Sequence, residues 1–377
     1  MRFGIQGVLL AAFVATGHVA WSDDVFQAEE IVHRMEKAAQ WQLDHPATFD
    51  VLEWHWAPFY MGLSDLSETT GDRKWIDEVK AMAEAHDWKF GRRPYHADDH
   101  AIGLSYIKLY QLDRNPKMIA GIRKEFDWIL ANPPAKTIMG ANGKMRETYN
   151  RERWNWCDAL YMAAPVWTGL GAVTGERKYY DYMVQEWKKA HEWYFSEEHD
   201  LYFHDKRDIV KVSKGGKPVF WARGDGWVFG ALVEIFQLLP KAHPERGYFV
   251  DIYNRMAVKL LEIQKENGIW APNLLDPTDP PQDDTSGSVF YVYGFAWGIN
   301  NGLLDRATYE PAARKGWAAL CERQKEDGRL INSQPVGGYP TPFDPETTTV
   351  FSMGTFISAG SEVLKMVQHK PLLPPHP

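Results

Sequence analysis

The chain has 377 residues and a formal net charge of −8, and 45% of its residues are hydrophobic. This length allows one large domain or several ordinary ones. The negative charge argues against a nucleic-acid-binding protein, because binding the phosphate backbone requires a basic surface, but a small anionic ligand in a local pocket stays compatible with it. The 17 tryptophans are typical of a carbohydrate-handling protein or of a very large helical core.

The N-terminus predicts export from the cell. Arg2 precedes a short apolar run over residues 8–15, small residues continue to Ala20, and polar residues begin at Ser22. This is the pattern of a secretory signal peptide, and the run is too short to span a membrane. We therefore expect a signal peptide over 1–22, cleaved between about Ala20 and Ser22. The remainder, 23–377, is then one periplasmic or secreted bacterial domain with no membrane association.

Helical periodicity dominates the rest of the chain. An amphipathic segment covers 25–43, and an aromatic loop at 54–56 leads into an apolar helix. A charged turn at 69–75 then starts a polar amphipathic helix that continues to about Trp88. The same turn between an apolar and an amphipathic helix returns, with variations, at 112–118, 173–180, 240–248 and 304–309. Two short hairpins are expected at 201–204 and 269–270.

A hairpin unit of roughly 50–60 residues that recurs about six times predicts a closed ring of helical hairpins. We therefore expect an all-α fold, an (α/α)6 toroid, with apolar helices inside and charged helices outside. All inner helices of such a ring point the same way, so the loops before them meet at one mouth, where helix N-termini favour an anionic ligand. Five of these loops carry unusual side chains: 54–56, 96–100, 154–158, 221–227 and 283–288.

Carboxylates at this mouth are the catalytic candidates. Asp158 begins an apolar helix, where it either faces the helix macrodipole or serves as a pocket acid between indoles. Asp98 and Asp99 hold the equivalent place in another hairpin, and one of them is expected to cap its helix. Two carboxylates that face each other in a dry pocket raise one another's pKa, whereas the helix field lowers it. The sequence leaves that balance open.

Arg223 is the candidate cation. Two glycines and two tryptophans surround it, which suits a carboxylate clamp better than a solvated charge. His204 is a lone histidine, and such residues are more often structural than catalytic. The residues around Gly224 and Gly226 do not match a dinucleotide-binding fingerprint. Ser286 lacks the sequence context of a catalytic nucleophile. We expect no metal and no cofactor. The two cysteines, Cys157 and Cys321, are too few for a disulfide framework, which favours a bacterial periplasm.

Three motifs in combination resemble a known family. They are Trp156–Met162, Phe220–Trp227, and Thr285–Ser288 with Gly298–Gly302. Together they resemble the unsaturated rhamnogalacturonyl hydrolases, glycoside hydrolase family 105, over about 54–364. The resemblance implies an (α/α)6 barrel that removes the 4,5-unsaturated uronic acid left by polysaccharide lyases at a non-reducing end.

The resemblance also implies roles for individual residues. Asp158 matches the general acid/base, and Asp98, by its spacing to Gly103, matches a second essential carboxylate, with Asp98 or Asp99 left open. His204, Arg223 and Trp227 match substrate-binding positions. The neighbouring loops add further substrate-binding candidates, namely His55, Asp99, Trp156, Trp221 and Ser286. The segment 333–344 has no recognisable counterpart.

The implied substrate is a vinyl ether conjugated to a carboxylate, and its hydration needs one acid/base, a supporting carboxylate, a cation and aromatic walls. Three alternatives stay open: an unsaturated glucuronyl hydrolase acting on glycosaminoglycan fragments, a hydrolase of saturated glycans on the same fold, and a binding protein without turnover. The sequence leaves undecided which sugar follows the uronate, whether that sugar is sulfated, and the oligomeric state.

Overall fold

The computed structural model describes residues 23–133 and 154–369, so the predicted signal peptide at 1–22 lies outside the described residues. After a 3-10 turn at Asp23–Phe26, the α-helices are α1 (Ala28–Asp44), α2 (Ala57–Thr70), α3 (Arg73–Ala85), α4 (Ala97–His100), α5 (Gly103–Asp113), α6 (Lys117–Ala131), α7 (Ala159–Thr174), α8 (Arg177–Tyr194), α9 (Ala222–Leu238), α10 (Arg246–Glu262), α11 (Thr285–Asn300), α12 (Arg306–Glu322) and α13 (Val350–Val367). Within the two described ranges, none of these helices combines the length and apolarity needed to cross a membrane.

The helices form two concentric rings. Helices α2, α5, α7, α9, α11 and α13 each pack against the next in this order, and α13 packs against α2 and closes the inner ring. Helices α1, α3, α6, α8, α10 and α12 pack against the inner helices from outside. The predicted (α/α)6 toroid is therefore confirmed.

Hydrophobic pattern decides which helix lies inside. Thirteen consecutive residues of α7, from Ala159 to Gly171, are buried, whereas α3 buries only one face. A helix that is apolar on all sides must be surrounded by protein. The inner helices also approach one another closely. A Cβ added to Gly354 of α13 would lie 2.3 Å from the Cα of Phe59 in α2, so only glycine allows this contact.

The end of α3 and one of the two predicted hairpins differ from the sequence prediction. Helix α3 ends at Ala85, earlier than predicted, because Asp87 and Trp88 adopt left-handed backbone angles with φ of 53° and 55°. The hairpin near 201–204 is present, since strand β1 (Phe195–Ser196) pairs antiparallel with β2 (Leu201–Tyr202). The prediction of a hairpin at 269–270 is wrong, because neither residue belongs to a strand. The backbone N–H of Trp270 donates instead to Ser288 Oγ, at 3.1 Å, which ties this segment to α11.

Candidate active site

A cavity of about 270 Å³ opens at the mouth of the ring, and we call this candidate active site the catalytic cavity. Its walls come from the segments before α2, α7 and α13, from α4 and α7 themselves, and from the segment after β2. The lining residues are Trp54, Asp98, Asn155, Trp156, Asp158, Met162, His204, Asp205, Arg207, Val336, Gly337 and Gly338. Three of the five predicted loops therefore contribute directly, together with the segment of the predicted residue His204 and the segment 336–338.

Asp158 lies at the N-cap position, immediately before the first residue of α7, but its side chain makes no capping hydrogen bond. One carboxylate oxygen, Oδ1, accepts a hydrogen bond from Cys157 Sγ at 3.3 Å and lies 3.7 Å from His204 Nε2. Burial raises the pKa of Asp158, and the opposing effects of His204, Cys157 and Arg223 do not cancel this rise. Because a raised pKa keeps a carboxyl protonated at higher pH, Asp158 is suited to deliver a proton.

His204 lies among three carboxylates. Its Nδ1 is 3.5 Å from Oδ2 of Asp205 and 3.5 Å from Oδ2 of Asp208, and its Nε2 faces Asp158. Burial alone lowers the pKa of a histidine, but these carboxylates raise that of His204 to about 9. The ring is therefore an imidazolium at neutral pH. The backbone carbonyl of His204 accepts a hydrogen bond from Cys157 N at 2.8 Å, which joins the segments that carry His204 and Asp158.

The structure distinguishes Asp98 from Asp99. Asp98 lines the catalytic cavity. Asp99 points away from it and accepts hydrogen bonds from the backbone N–H groups of Arg92, at 3.0 Å, and Arg93, at 2.9 Å, besides an ion pair with the Arg93 guanidinium. Although burial acts in the opposite direction, these contacts hold the pKa of Asp99 below its usual value. Asp99 is therefore placed to fix the loop before α4, while Asp98 faces the cavity.

Arg223 lies behind the cavity wall, with only 1% of its surface exposed. Its guanidinium donates to Ser286 Oγ at 3.0 Å, to the Gln334 carbonyl at 2.5 Å and to the Pro335 carbonyl at 2.8 Å. Trp221 lies beneath it and donates from its indole to Gln334 Oε1 at 2.9 Å. The predicted residues Trp221, Arg223 and Ser286 thus hold the segment that carries Val336–Gly338, and the cavity walls do not include them.

His55 and Trp227 support Trp54, the aromatic residue that reaches the cavity. The His55 ring stacks between Phe49 and Trp54, with centroid distances of 3.6 and 3.9 Å. Burial, reinforced by Arg223, lowers the pKa of His55 to about 4, so this ring is neutral. Trp227 is fully buried and meets Trp54 edge-on at 5.9 Å. Both residues therefore lie outside the cavity wall, whereas Trp156 lines it.

Sequence reasoning missed two parts of the site. Arg207 brings a guanidinium to the cavity and is held by Asp205, which accepts from Arg207 Nε at 2.9 Å. The segment 336–338 lies against His204, and a Cβ added to Gly338 would be 2.5 Å from His204 Cε1. Two signals were available in the sequence: the run of charged residues at 205–208, directly after His204, and the adjacent glycines Gly337 and Gly338. Neither belongs to a recognisable motif.

The cluster of His204, Asp205 and Asp208 has the spacing of a metal site, because one ligand atom of each lies within 4.8 Å of the others. Side-chain cations already occupy both carboxylates, since Arg207 pairs with Asp205 and Lys211 Nζ lies 2.6 Å from Asp208 Oδ1. The cluster therefore fits an ion-pair network better than a metal centre.

Comparison with known proteins places the chain in a family. The model of Glycosyl Hydrolase Family 88 matches residues 22–367. A protein of Alteromonas sp. named unsaturated 3S-rhamnoglycuronyl hydrolase is 34% identical, covering 87% of this chain and 84% of the relative. A protein of Formosa agariphila with the same name is also 34% identical, covering 89% and 91%.

The fold comparison agrees. The solved structure of a glycosyl hydrolase family 88 protein from Bacteroides vulgatus matches with a TM-score of 0.82 and 26% identity, and covers 90% of this chain and 99% of that chain. The relationship inferred from the three motifs is thereby confirmed at the level of the family. With a helical ring, a buried acid at its mouth and matches over most of its length, the chain belongs to Glycosyl Hydrolase Family 88 and is a glycoside hydrolase.

Proposed function

We propose that the protein removes a 4,5-unsaturated uronic acid from the non-reducing end of oligosaccharides produced by polysaccharide lyases, by adding water across the C4=C5 bond. The observation that carries this proposal is the Asp158–His204 pair, a buried carboxyl of raised pKa beside an imidazolium. The names of the two relatives favour a substrate in which the unsaturated uronic acid is attached to rhamnose, of the ulvan or rhamnogalacturonan type.

The size of the catalytic cavity supports action at a chain end. Ligand cavities usually hold about 300–1,000 Å³, and this one holds about 270 Å³. It therefore suits one terminal sugar ring, with the rest of the oligosaccharide outside. Trp54 and Trp156 supply aromatic walls for that ring, and His204 and Arg207 supply positive charge for its carboxylate.

In the proposed mechanism, Asp158 donates its proton to C4, which forms a C4–H bond and leaves an oxocarbenium-like centre at C5. Water adds to C5 and returns a proton to the Asp158 carboxylate. The hemiketal at C5 then opens, and the hemiacetal left at C1 releases the remaining sugar. Asp98 faces the same cavity and stabilises the developing positive charge. The usual rule on carboxylate separation does not apply, because no group displaces the substituent at C1.

The test is to incubate the protein separately with lyase products of ulvan, pectic rhamnogalacturonan and chondroitin, and to follow the ultraviolet absorbance of the double bond. We expect loss of absorbance with one of the two rhamnose-containing products. Turnover of the chondroitin product alone would indicate a glucuronyl hydrolase of glycosaminoglycan fragments. Sugar release with the absorbance unchanged would indicate an ordinary glycoside hydrolase.

Heavy water separates hydration from displacement at C1. Proton delivery to C4 places one deuterium on that carbon of the released keto-acid, which magnetic resonance detects in the first minutes, before exchange beside the new ketone. Early product without deuterium on C4 would contradict the mechanism.

We also propose that residues 1–22 direct export and that 23–377 acts as one domain in the periplasm or outside a bacterial cell. Saccharide fragments produced outside the cytoplasm are consistent with this location. N-terminal sequencing of the protein purified from an expressing bacterium tests it, and we expect a new N-terminus between about Ala20 and Ser22. An uncleaved cytoplasmic product would contradict it.

A further inference from the structure

A second cavity, of about 630 Å³, lies on the outer ring between the segment 87–94 and helix α6, and we call it the outer cavity. It is larger than the catalytic cavity and shares no lining residue with it. Its lining combines aromatic rings with lysines, namely Trp88, Phe90 and Trp128 with Lys89, Lys117 and Lys124. The lining also includes two acidic residues, Asp87 and Glu125, so the three lysines leave a small positive excess around the cavity.

The backbone that forms one wall is strained. Asp87 and Trp88 are consecutive residues with positive φ, at 53° and 55°, and a bulky side chain rarely adopts this conformation. Packing holds the strain in place, because the Trp88 ring meets Tyr106 edge-on at 5.4 Å and the backbone N–H of Trp88 donates to the Ala83 carbonyl at 2.9 Å. The turn ends α3 abruptly and places Lys89 and Phe90 opposite α6. Backbone strain of this kind often accompanies a binding site.

The polar groups of the outer cavity have unused capacity. Lys89 and Lys124 have no ion-pair partner in the described ranges, whereas Lys117 Nζ pairs with Asp87 at 2.8 Å. Glu125 contributes an oxygen, Oε1, that is buried and accepts no hydrogen bond from the residues described. Trp128 leaves 46% of its surface exposed beside them. An aromatic face, an unused acceptor and free cations are the groups that a saccharide with hydroxyls and anionic substituents requires.

We propose that the outer cavity is a second saccharide-binding site, which holds a segment of an anionic polysaccharide while the catalytic cavity acts on chain ends. The two sites are close along the chain, since Lys89, Phe90 and Pro94 line the outer cavity and Asp98 lines the catalytic cavity. The inference rests on the proposed function only for the choice of an anionic saccharide. A site of this kind keeps the enzyme on the polymer where lyases generate new ends.

The test measures binding of the mature protein to uncut polysaccharides, which carry no unsaturated terminus for the catalytic cavity. Affinity electrophoresis with ulvan, polygalacturonate and neutral hydroxyethylcellulose separates sulfate, carboxylate and uncharged ligands. The variants are Trp128→Ala and the double variant Lys89→Ala/Lys124→Ala. The matched control is Lys241→Ala, an exposed lysine beyond the C-terminal end of α9.

We expect both cavity variants to bind at least one anionic polymer about fivefold or more weakly, since an anchoring aromatic or a pair of charges contributes about 1 kcal/mol or more. Lys241→Ala should bind the polymers as the unmodified protein does. All variants should hydrolyse a short lyase product at an unchanged rate. Thermal unfolding identifies a misfolded variant, and the two independent variants keep the test decisive. Unchanged polymer binding by both variants, an equal loss in Lys241→Ala, or equal binding of neutral polymer would overturn the proposal. Polymer binding by a protein without hydrolase activity would overturn the proposed function alone.

Discussion

Nε2 of His204 lies 3.7 Å from Oδ1 of Asp158, inside a cavity where both side chains are largely buried. Burial raises the pKa of Asp158 although the imidazolium lowers it, and the same carboxylate helps to raise the pKa of His204. In the proposed mechanism, the pair therefore combines a proton donor, Asp158, with a fixed positive charge on His204. A fixed charge of this kind favours the carboxylate that Asp158 becomes after it has donated its proton.

Replacing Asp158 by Asn removes the proton donor and keeps the size of the side chain. We expect turnover of the unsaturated substrate to fall by about two to four orders of magnitude. The melting temperature should stay near that of the unmodified protein, because the carboxylate does not cap α7. Steady-state absorbance kinetics and thermal unfolding check this prediction. Near-normal turnover in a folded Asp158→Asn protein would contradict the assignment.

The two neighbouring aspartates should respond differently to amidation. Asp98→Asn changes a group in the cavity wall, so we expect a severe loss of kcat/KM. Asp99→Asn weakens the contact with Arg93, so it should mainly lower the melting temperature and reduce activity less. Kinetics and melting curves of the two variants, measured side by side, provide matched controls. The opposite ranking of kcat/KM would show that Asp99 is the essential carboxylate.

The charge of His204 makes a stability contribution that depends on pH. Its pKa rises from the ordinary 6.5 to about 9 in the fold, so protonation stabilises the folded state most below pH 6.5. That contribution is lost as the pH rises through 9. His204→Gln lacks it, so the difference in free energy of unfolding between the two proteins should shrink over this range. Urea titrations from pH 6 to 10 measure it, and a difference independent of pH would contradict the imidazolium assignment.

Gly338 should tolerate no side chain, because a Cβ there would lie 2.5 Å from Cε1 of the buried His204 ring. Gly338→Ala must displace the imidazolium or the segment, and we expect kcat/KM to fall by about tenfold to a hundredfold. Gly337→Ala is the control, since its Cβ would come no closer than 3.8 Å, to the Pro335 carbonyl oxygen. Comparable kinetics of the two variants would show that this contact does not position His204.

Arg223→Lys keeps the charge but cannot reproduce the three hydrogen bonds to Ser286, Gln334 and Pro335. A hydrogen bond to a charged group contributes about 1.5–3 kcal/mol, so we expect a loss of at least about 2 kcal/mol in stability. Because Arg223 holds the segment carrying Gly338, kcat/KM should fall as well. Arg92→Lys is an exposed control with the same change. Unchanged stability in the Arg223 variant would argue against this supporting role.

The ring of hairpins was predictable because its signal is local. The apolar set of α7 and the one-sided set of α8 follow each other within one stretch of sequence, and burial decides the inner or outer position of each. The position of Asp158 at the mouth of the ring was also predictable, since it stands at the start of an apolar helix, after Trp156 and Cys157. The choice between Asp98 and Asp99 was not. Adjacent residues at a helix start point in different directions, and sequence alone does not tell which one faces the cavity.

Contacts between distant parts of the chain decided the rest. The motif around Arg223 suggested a ligand clamp, but the carbonyls that accept its hydrogen bonds belong to Gln334 and Pro335, 111 and 112 residues away. Two of the three carboxylates around His204, Asp205 and Asp208, are close in sequence, but the third, Asp158, comes beside it only in the folded chain. Periodicity along the chain therefore determined the ring, whereas the protonation and placement of the site depend on desolvation and long-range contacts that only the tertiary structure creates.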